Sequence, residues 1–345
     1  MKILILCTSI IVGLIAVFFF FVGSMSIYRN TIFYIKGLRE FTKSGYEIAS
    51  KNFNPHELDV DCSLKHFIIT GANSGLGYST ALEIAKKNGT VHMVCRNAVS
   101  GEQAKHAIVK ESKNSNVHLH IVDLSKPKDV VKFAKRFAHA HSRLDVLINN
   151  AGCLLNERVR TEDGLDANFA TNTLGYYLMT REMLGLLSKS EDPRVLMVSS
   201  GGMYTQKLDH EDFNFDRWRK YDGVIVYAQN KRQQVVMCEE FAKSHPNIFF
   251  ASMHPGWANT PGVRKSIPDF YERHKSQLRT PQEGSDTLVW LAVAPAKVIQ
   301  KFGSGNFFQD RAVCSTHLPL AWTKSSEADN SEFMKKLSKI ADKFL

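Results

Sequence analysis

A phenol and an amine stand four positions apart in Tyr227-Ala228-Gln229-Asn230-Lys231, so a helix carrying them places both on one face. A free tyrosine keeps its proton up to a pKa of about 10, too high for efficient proton exchange at neutral pH. A fixed ammonium beside it favours the phenolate and lowers that value. Ser200 closes the apolar run Arg194-Val195-Leu196-Met197-Val198-Ser199-Ser200, which reads as a buried strand with a hydroxyl at its end. Asn172 adds a fourth polar group in Ala170-Thr171-Asn172-Thr173-Leu174-Gly175. Taken singly, Tyr227 and Lys231 could be an exposed helix pair, and Asn172 a mid-helix asparagine without a role.

A second constellation lies upstream. Thr70-Gly71-Ala72-Asn73-Ser74-Gly75-Leu76-Gly77 follows the short apolar run His66–Thr70. Glycines let the chain turn tightly and let backbone approach a pyrophosphate, while the helix that follows offers free N–H groups and a partial positive charge. The spacing is Gly-x-x-x-Gly-x-Gly rather than G-x-G-x-x-G, and any strand-to-helix turn can carry glycines. Joined to a downstream hydroxyl, phenol and amine, the loop points to hydride transfer between a dinucleotide and a carbonyl. The second apolar strand ends Val94-Cys95-Arg96-Asn97 without an acid. An acid there accepts ribose hydroxyls, whereas an arginine pairs with a 2′-phosphate, so NADP(H) is expected over NAD(H). The plainer reading of Arg96 is a solvated loop arginine.

With these motifs in this order, the chain resembles the short-chain dehydrogenase/reductase family over roughly residues 60–315. The long segment Gly201–Val226 between Ser200 and Tyr227, the Cys-Arg end of strand two and the apolar amino terminus are similar to its retinol-dehydrogenase-like branch. Tyr-Ala-Gln-Asn-Lys and His-Pro-Gly-Trp-Ala resemble one dehydrogenase/reductase group within it.

The resemblance implies roles. Tyr227 exchanges the proton of the substrate oxygen, Ser200 holds that oxygen, Lys231 acidifies the phenol and reaches the nicotinamide ribose, and Asn172 bends a helix and holds a water leading to the lysine. Cofactor contacts are implied for Thr70, Gly71, Asn73, Ser74, Gly75, Leu76 and Gly77, then for Arg96 and Asn97, for Asp123 and Leu124 at the adenine, and for Asn150, Ala151 and Gly152 on the adenosine side. Pro255, Gly256 and Thr260 are implied at the carboxamide. Bland readings stand beside these: a turn aspartate at 123, an ordinary polar turn at 149–152, and simple packing for Trp257, which could also be a pocket wall. The segment Ala258–Gln282 is the expected substrate loop, and its Pro261, Pro268, Phe270 and Tyr271 suit a bulky apolar substrate such as a retinoid, steroid or lipid carbonyl or alcohol, or a xenobiotic carbonyl. A nucleotide-binding sensor or scaffold with little turnover is the alternative. The resemblance also allows a homodimer.

The positioning elements follow from periodicity. Apolar runs at His66–Thr70, Thr90–Cys95, Val117–Asp123, Val146–Ala151, Arg194–Ser200, Asn247–His254 and Phe302–Phe308 predict about seven strands. Helical patterns fall near 76–88, 100–112, 128–141, 166–188, 225–244 and 282–294, with a last helix from Glu327 to Leu345. Strand–helix alternation predicts an α/β fold, a single Rossmann-type doubly wound parallel sheet with helices on both faces. We expect this unit at residues 63–318, preceded by a juxtamembrane helix and linker at 26–62 and followed by a tail helix at 319–345.

The chain has 345 residues, 44% of them apolar, and a net charge of +10. That size suffices for one large core. The charge suits a solvated Lys/Arg surface, an anionic membrane or cofactor phosphates, and no basic run interleaved with aromatics argues for nucleic acid. Cys7, Cys62, Cys95, Cys153, Cys238 and Cys314 show no CxxC and no metal-ligand spacing, so reduced thiols and no metal are expected. Residues Ile3 to Met25 are almost unbroken apolar, with Phe18–Phe21 as a block, and about 20 such residues span a bilayer. Arg29, Lys36, Arg39 and Lys43 follow, which predicts a membrane segment at 1–25 with the catalytic part on the cytosolic side of the endoplasmic reticulum or another intracellular membrane. A cleaved signal peptide, or a start at Met25 with a peripheral amphipathic anchor, are the alternatives.

Overall fold

Short runs of large and β-branched residues alternate with helical stretches, and the chain folds accordingly in the computed structural model, which describes residues 26–345. The chain is helical over residues 26–36 (α1), passes through a π turn at Gly37–Phe41 and continues into α2 (Lys43–Ser50). Then come β1 (His66–Thr70), α3 (Gly75–Lys86), β2 (Thr90–Cys95), α4 (Ala98–Ser112), β3 (Val117–Ile121), α5 (Pro127–Ala140) and β4 (Val146–Asn149). The second half holds α6 (Ala167–Phe169), a π turn at Ala170–Leu174, α7 (Gly175–Leu187), β5 (Arg194–Val198), α8 (Gly223–Ser244) and β6 (Phe249–Met253). It ends with α9 (Pro261–Ser266), α10 (Pro268–His274), α11 (Pro281–Val293), α12 (Ala296–Ile299), β7 (Asn306–Gln309), β8 (Ala312–Val313) and α13 (Glu327–Ala341).

The sheet has eight strands in the order β3-β2-β1-β4-β5-β6-β7-β8. All pairings are parallel except β7 with β8. The eighth strand is a two-residue edge piece, too short to leave a period in the sequence. The chain reverses its direction of winding between β1 and β4, the switch point where doubly wound sheets open a crevice beyond the strand ends. Alternate residues feed two cores. Ile68, Val195 and Met197 join a cluster with α5, α7 and α8, while Phe67, Ile69 and Leu196 join one with α3, α4 and α11. Phe333 and Leu337 of α13 complete the first cluster.

Several strands stop earlier than their apolar runs. β3 ends before Asp123, β4 before Asn150 and β5 before Ser199 and Ser200, so these polar residues leave the ladder at its carboxyl edge and face the crevice. β7 starts four residues later than its run, because Gly303 and Gly305 take φ of 78° and 89° in the preceding turn. Among the described residues no helix is long and apolar enough to cross a membrane. The apolar stretch from Ile3 to Met25 lies outside the described residues.

Five histidines gather between β1, β2, β3 and the end of α5. His66 Nδ1 lies 3.3 Å from His92 Nε2, and His92 Nδ1 lies 3.1 Å from His120 Nε2. The His118 and His141 rings approach His92 to 5.1 and 4.9 Å. Burial, then the neighbouring imidazoles, hold His92 down to about 2 and His120 to about 4. Burial also lowers His66, against the pull of Asp145, and His118, with Lys105 adding to the fall. An unfolded imidazole titrates at about 6.5. Below that pH the unfolded chain therefore binds protons that the fold refuses, and stability falls as pH falls. Urea unfolding between pH 7.5 and 5 is expected to lose up to about 1.4 kcal/mol per pH unit for each imidazole kept neutral. The non-titrating His92→Gln chain should show a shallower slope; equal slopes would remove the histidine cluster as the cause.

Candidate active site

Thr70, fully buried, clips the ends of β1 and β4 together. Its Oγ1 accepts from the Asn150 and Ala151 amides at 2.8 and 2.9 Å. Asn150 Nδ2 donates back to Thr70 O at 2.8 Å. The glycine loop is pressed against this clip. A Cβ on Gly71, where φ is 67°, would meet Ala151 Cα at 2.9 Å, and one on Gly77 would meet Asn150 Nδ2 at 2.5 Å. Only glycine passes at these two points, and the result is a shallow backbone cradle at the amino end of α3.

One cavity of about 1660 Å³ runs along the carboxyl edge of the sheet. It collects Gly71, Asn73, Ser74, Gly75, Leu76, Arg96, Asp123, Leu124, Asn150, Ala151, Gly152, Ser200, Tyr227, Lys231, Pro255, Gly256 and Thr260. Its volume exceeds the range of roughly 300–1,000 Å³ usual for one small ligand. Thr70, Gly77 and Asn172 stand buried behind the wall instead, and Asn97 is exposed outside it. Asn97 caps α4, accepting from Ser100 N at 2.9 Å. Asp123 accepts from the Ser125 amide and hydroxyl at 3.0 and 2.7 Å, so it shapes a turn as well as lining the cavity. Thr260 accepts from Val263 N at 3.3 Å and caps α9.

Tyr227 and Lys231 sit one turn apart on α8, with the Lys231 Nζ 5.2 Å from the phenol ring centre and 5.6 Å from that of Tyr176. Lys231 Nζ donates to Val198 O at 2.7 Å and to Gln234 Oε1 at 3.0 Å. Gln234 in turn donates to Asn172 O at 2.6 Å. Asn172 occupies the π turn ahead of α7 and grips Cys153 from both sides, accepting from its N at 2.9 Å and donating to its O at 2.8 Å. A π turn widens the helix and frees the Asn172 carbonyl for this use. A continuous polar chain thus links the fourth strand's loop to the lysine.

Burial raises the Tyr227 phenol above its ordinary value, and the Ser200 hydroxyl, hydrogen-bonded to it, is the group that pulls it down. Burial likewise lowers the Lys231 amine to about 7. Lys231 is buried and Tyr227 half-buried at the cavity wall, and desolvation disfavours each charged form. At neutral pH the amine is therefore poised between its two states.

One end of the cavity is apolar. Leu154, Leu155, Val159, Ile225, Trp257, Ile267 and Phe270 line it, Trp257 meeting Phe270 with ring centres 5.1 Å apart. The sequence did not foretell two parts of this wall. Phe33 and Tyr34 of α1 also line the cavity, and Tyr34 stacks near Trp257 at 5.9 Å. Arg279, buried after α10, forms an ion pair with Asp310 at 2.6 Å and donates to Glu40 O at 2.6 Å and Thr42 O at 3.2 Å, fastening the α1–α2 junction to the Pro255-Gly256 turn. Gln234 carried a signal, three residues after Lys231 on the same helix face. Arg279 carried none, since its partners are about 30 to 240 residues away in the chain.

Residues Lys65–Lys207 match the family described as short chain dehydrogenase. The chain is 53% identical over 320 residues to Dehydrogenase/reductase SDR family member 12 of Homo sapiens, covering 93% of this chain and all of that protein. It is 33% identical over 256 residues to Retinol dehydrogenase 12 of Bos taurus, covering 73% of this chain and 79% of that one. Among solved structures, the Pseudomonas aeruginosa RhlG/NADP active-site complex superposes with a TM-score of 0.58 at 18% identity, covering 74% of this chain and 96% of that one. At that identity the likeness speaks for the fold.

Removing Arg279 would leave the largely buried Asp310 carboxylate without its cation, with only Gln309 donating to it. Arg279→Leu is expected to destabilise the fold by about 3 kcal/mol in urea unfolding, with Asp310→Asn closer to the parent. A loss below about 1 kcal/mol for Arg279→Leu would mean the pair adds little beyond a surface ion pair.

Proposed function

The chain belongs to the short-chain dehydrogenase/reductase family, and from that premise we propose that it is an NADP(H)-dependent oxidoreductase interconverting a lipophilic carbonyl and its alcohol. One observation carries the reading: Ser200, Tyr227 and Lys231 share a single cavity with the glycine cradle and Arg96. The residues fit a dinucleotide, because side chains at Gly71 and Gly77 would close the cradle and α3 offers its amino end beside it. Residues 63–318 form the catalytic unit in this reading, with 26–62 and 319–345 as appendages.

A bound nicotinamide supplies or accepts the hydride. The Tyr227 hydroxyl gives its proton to the substrate oxygen during reduction and recovers it during oxidation. Ser200 donates to the same oxygen and fixes its direction. Lys231, protonated below about 7 and held by Val198 O and Gln234, steadies negative charge on the phenol oxygen. Asn172 keeps Gln234, and through it the lysine, in place. Arg96, exposed at the end of β2 and without an acidic partner among the described residues, favours a 2′-phosphate. The apolar substrate wall and the similarity to Retinol dehydrogenase 12 support a retinoid, steroid or lipid aldehyde or ketone. The apolar stretch at the amino terminus supports attachment to an intracellular membrane with the catalytic unit on the cytosolic side.

A panel of retinoid, steroid and aliphatic carbonyls with NADPH is expected to reveal turnover. Tyr227→Phe should lower it by about 10²–10⁴-fold while NADPH still binds. Turnover that survives this change sinks the mechanism, and tight NADPH binding with no turnover on the whole panel would favour a nucleotide sensor. Arg96→Asp is expected to invert the cofactor preference from NADPH to NADH. KM values for the two cofactors that hardly move would dismiss Arg96 as the selecting residue.

A further inference from the structure

Around α1 the fold leaves large apolar side chains outside. Ile27 is 70% exposed, Leu320 67% and Trp322 62%. Tyr34, Ile35 and Leu38 are partly exposed too, Leu38 in the π turn that continues α1. The loop after β8 reaches the same place. Its Leu318 and Ala321 turn inward to a cluster with Phe41, Tyr204 and Phe307, while Leu320 and Trp322 turn outward. Both outward residues take left-handed backbone, φ 52° and 47°, a conformation that bulky side chains adopt only at a cost. The loop is fastened to α1: Tyr28 Oη donates to Pro319 O at 3.1 Å, and Arg29 Nε donates to Ala321 O at 2.6 Å.

We propose that this face, formed by α1 and the Leu318–Trp322 loop, docks on a lipid bilayer containing anionic lipid. Three observations choose the bilayer. The chain immediately upstream of α1 is the nearly unbroken apolar stretch from Ile3 to Met25, long enough for a hydrocarbon core, so the face begins where that stretch ends. The exposed basic residues Arg39, Lys43 and Lys324 are chain neighbours of its apolar side chains, and lysines or arginines near an anionic surface add about 1 kcal/mol each. An exposed tryptophan beside a leucine matches the headgroup level, where the indole is half apolar and half polar. Trp322 and Leu320 are thus a second membrane contact, separate in sequence from the apolar stretch. Ser26, Asn30, Phe33 and Tyr34 of α1 also line the catalytic cavity, so a docked face sets the cavity rim against the lipid. This contact does not depend on the proposed reaction.

The full-length chain, reconstituted in phosphatidylcholine/phosphatidylserine vesicles with part of the lipid brominated on its acyl chains, tests this through tryptophan quenching. The protein has four tryptophans. Trp290 is buried and Trp218 and Trp257 are half-buried, so Trp322 should dominate the lipid-quenched emission. Bromolipid is expected to quench the parent, and Trp322→Phe should lose more than half of that quenching while its circular dichroism stays unchanged. Replacing phosphatidylserine by phosphatidylcholine should weaken the quenching. Equal quenching in parent and Trp322→Phe would overturn the proposal, as would detergent-solubilised dimers that vanish in Trp322→Phe, which would make a second copy of the chain the occupant.

Discussion

Holding an ammonium-capable lysine and a phenol away from water, side by side, is the constraint on which the rest of the structure depends. Neither group tolerates burial alone. Lys231 is sustained by the Val198 carbonyl, by Gln234, and by two aromatic faces, Tyr176 and Tyr227. Gln234 depends on the carbonyl that the π turn at Asn172 releases. That turn in turn is pinned by both backbone groups of Cys153, which follows the β4 loop. Loosening any link would release the amine to water or leave a buried polar group unpaired.

The sheet makes this arrangement possible because its carboxyl edge is the one place where backbone can stop pairing without being orphaned. β1, β4 and β5 all end there, and the polar residues that follow them serve as clips, caps and cavity walls. Thr70 and Asn150 fasten the edges of the crevice, and the two closest glycines leave room between them. The segment Gly201–Val226 supports the same edge from outside. Tyr221 donates to Asp166 at 2.9 Å and accepts from Asn168 at 2.7 Å, and Asp166 caps the short helix that leads into the π turn. The insertion therefore braces the lysine-holding network and also lines the cavity, through Gly202, Gln206 and Ile225.

The opposite wall is closed by chain that lies far away in sequence. The α1–α2 junction is drawn onto the Pro255-Gly256 turn by Arg279, whose guanidinium is shared among Asp310 and the carbonyls of Glu40 and Thr42. Trp257 N donates to Phe41 O at 2.7 Å, and an added Cβ at Gly256 would collide with Arg279 and with that carbonyl. The segment that precedes the sheet is thus part of the cavity wall, and the same segment carries the outward apolar residues. The cavity rim and the proposed lipid contact thus belong to one element.

Periodicity and motif spacing outlined the alternating strands and helices, the glycine loop, the Ser200, Tyr227 and Lys231 group and the arginine at the end of β2, because each rests on contacts within a turn or on a strand's own apolar run, whereas Asn172 was singled out only by the family resemblance. Four short helices, α2, α9, α10 and α12, left no period long enough to read, and α9 and α10 announce themselves only by a proline at their first position. What tertiary structure alone decided was the charge state of the site and the shape of its mouth. The depressed lysine and raised phenol follow from burial at the cavity wall, which a sequence does not display. The histidine cluster, the Arg279–Asp310 pair and the packing of α1 on Trp257 join residues separated by tens to hundreds of positions. Such pairings are fixed by how the sheet and its covering helices close on one another, and no local pattern encodes them.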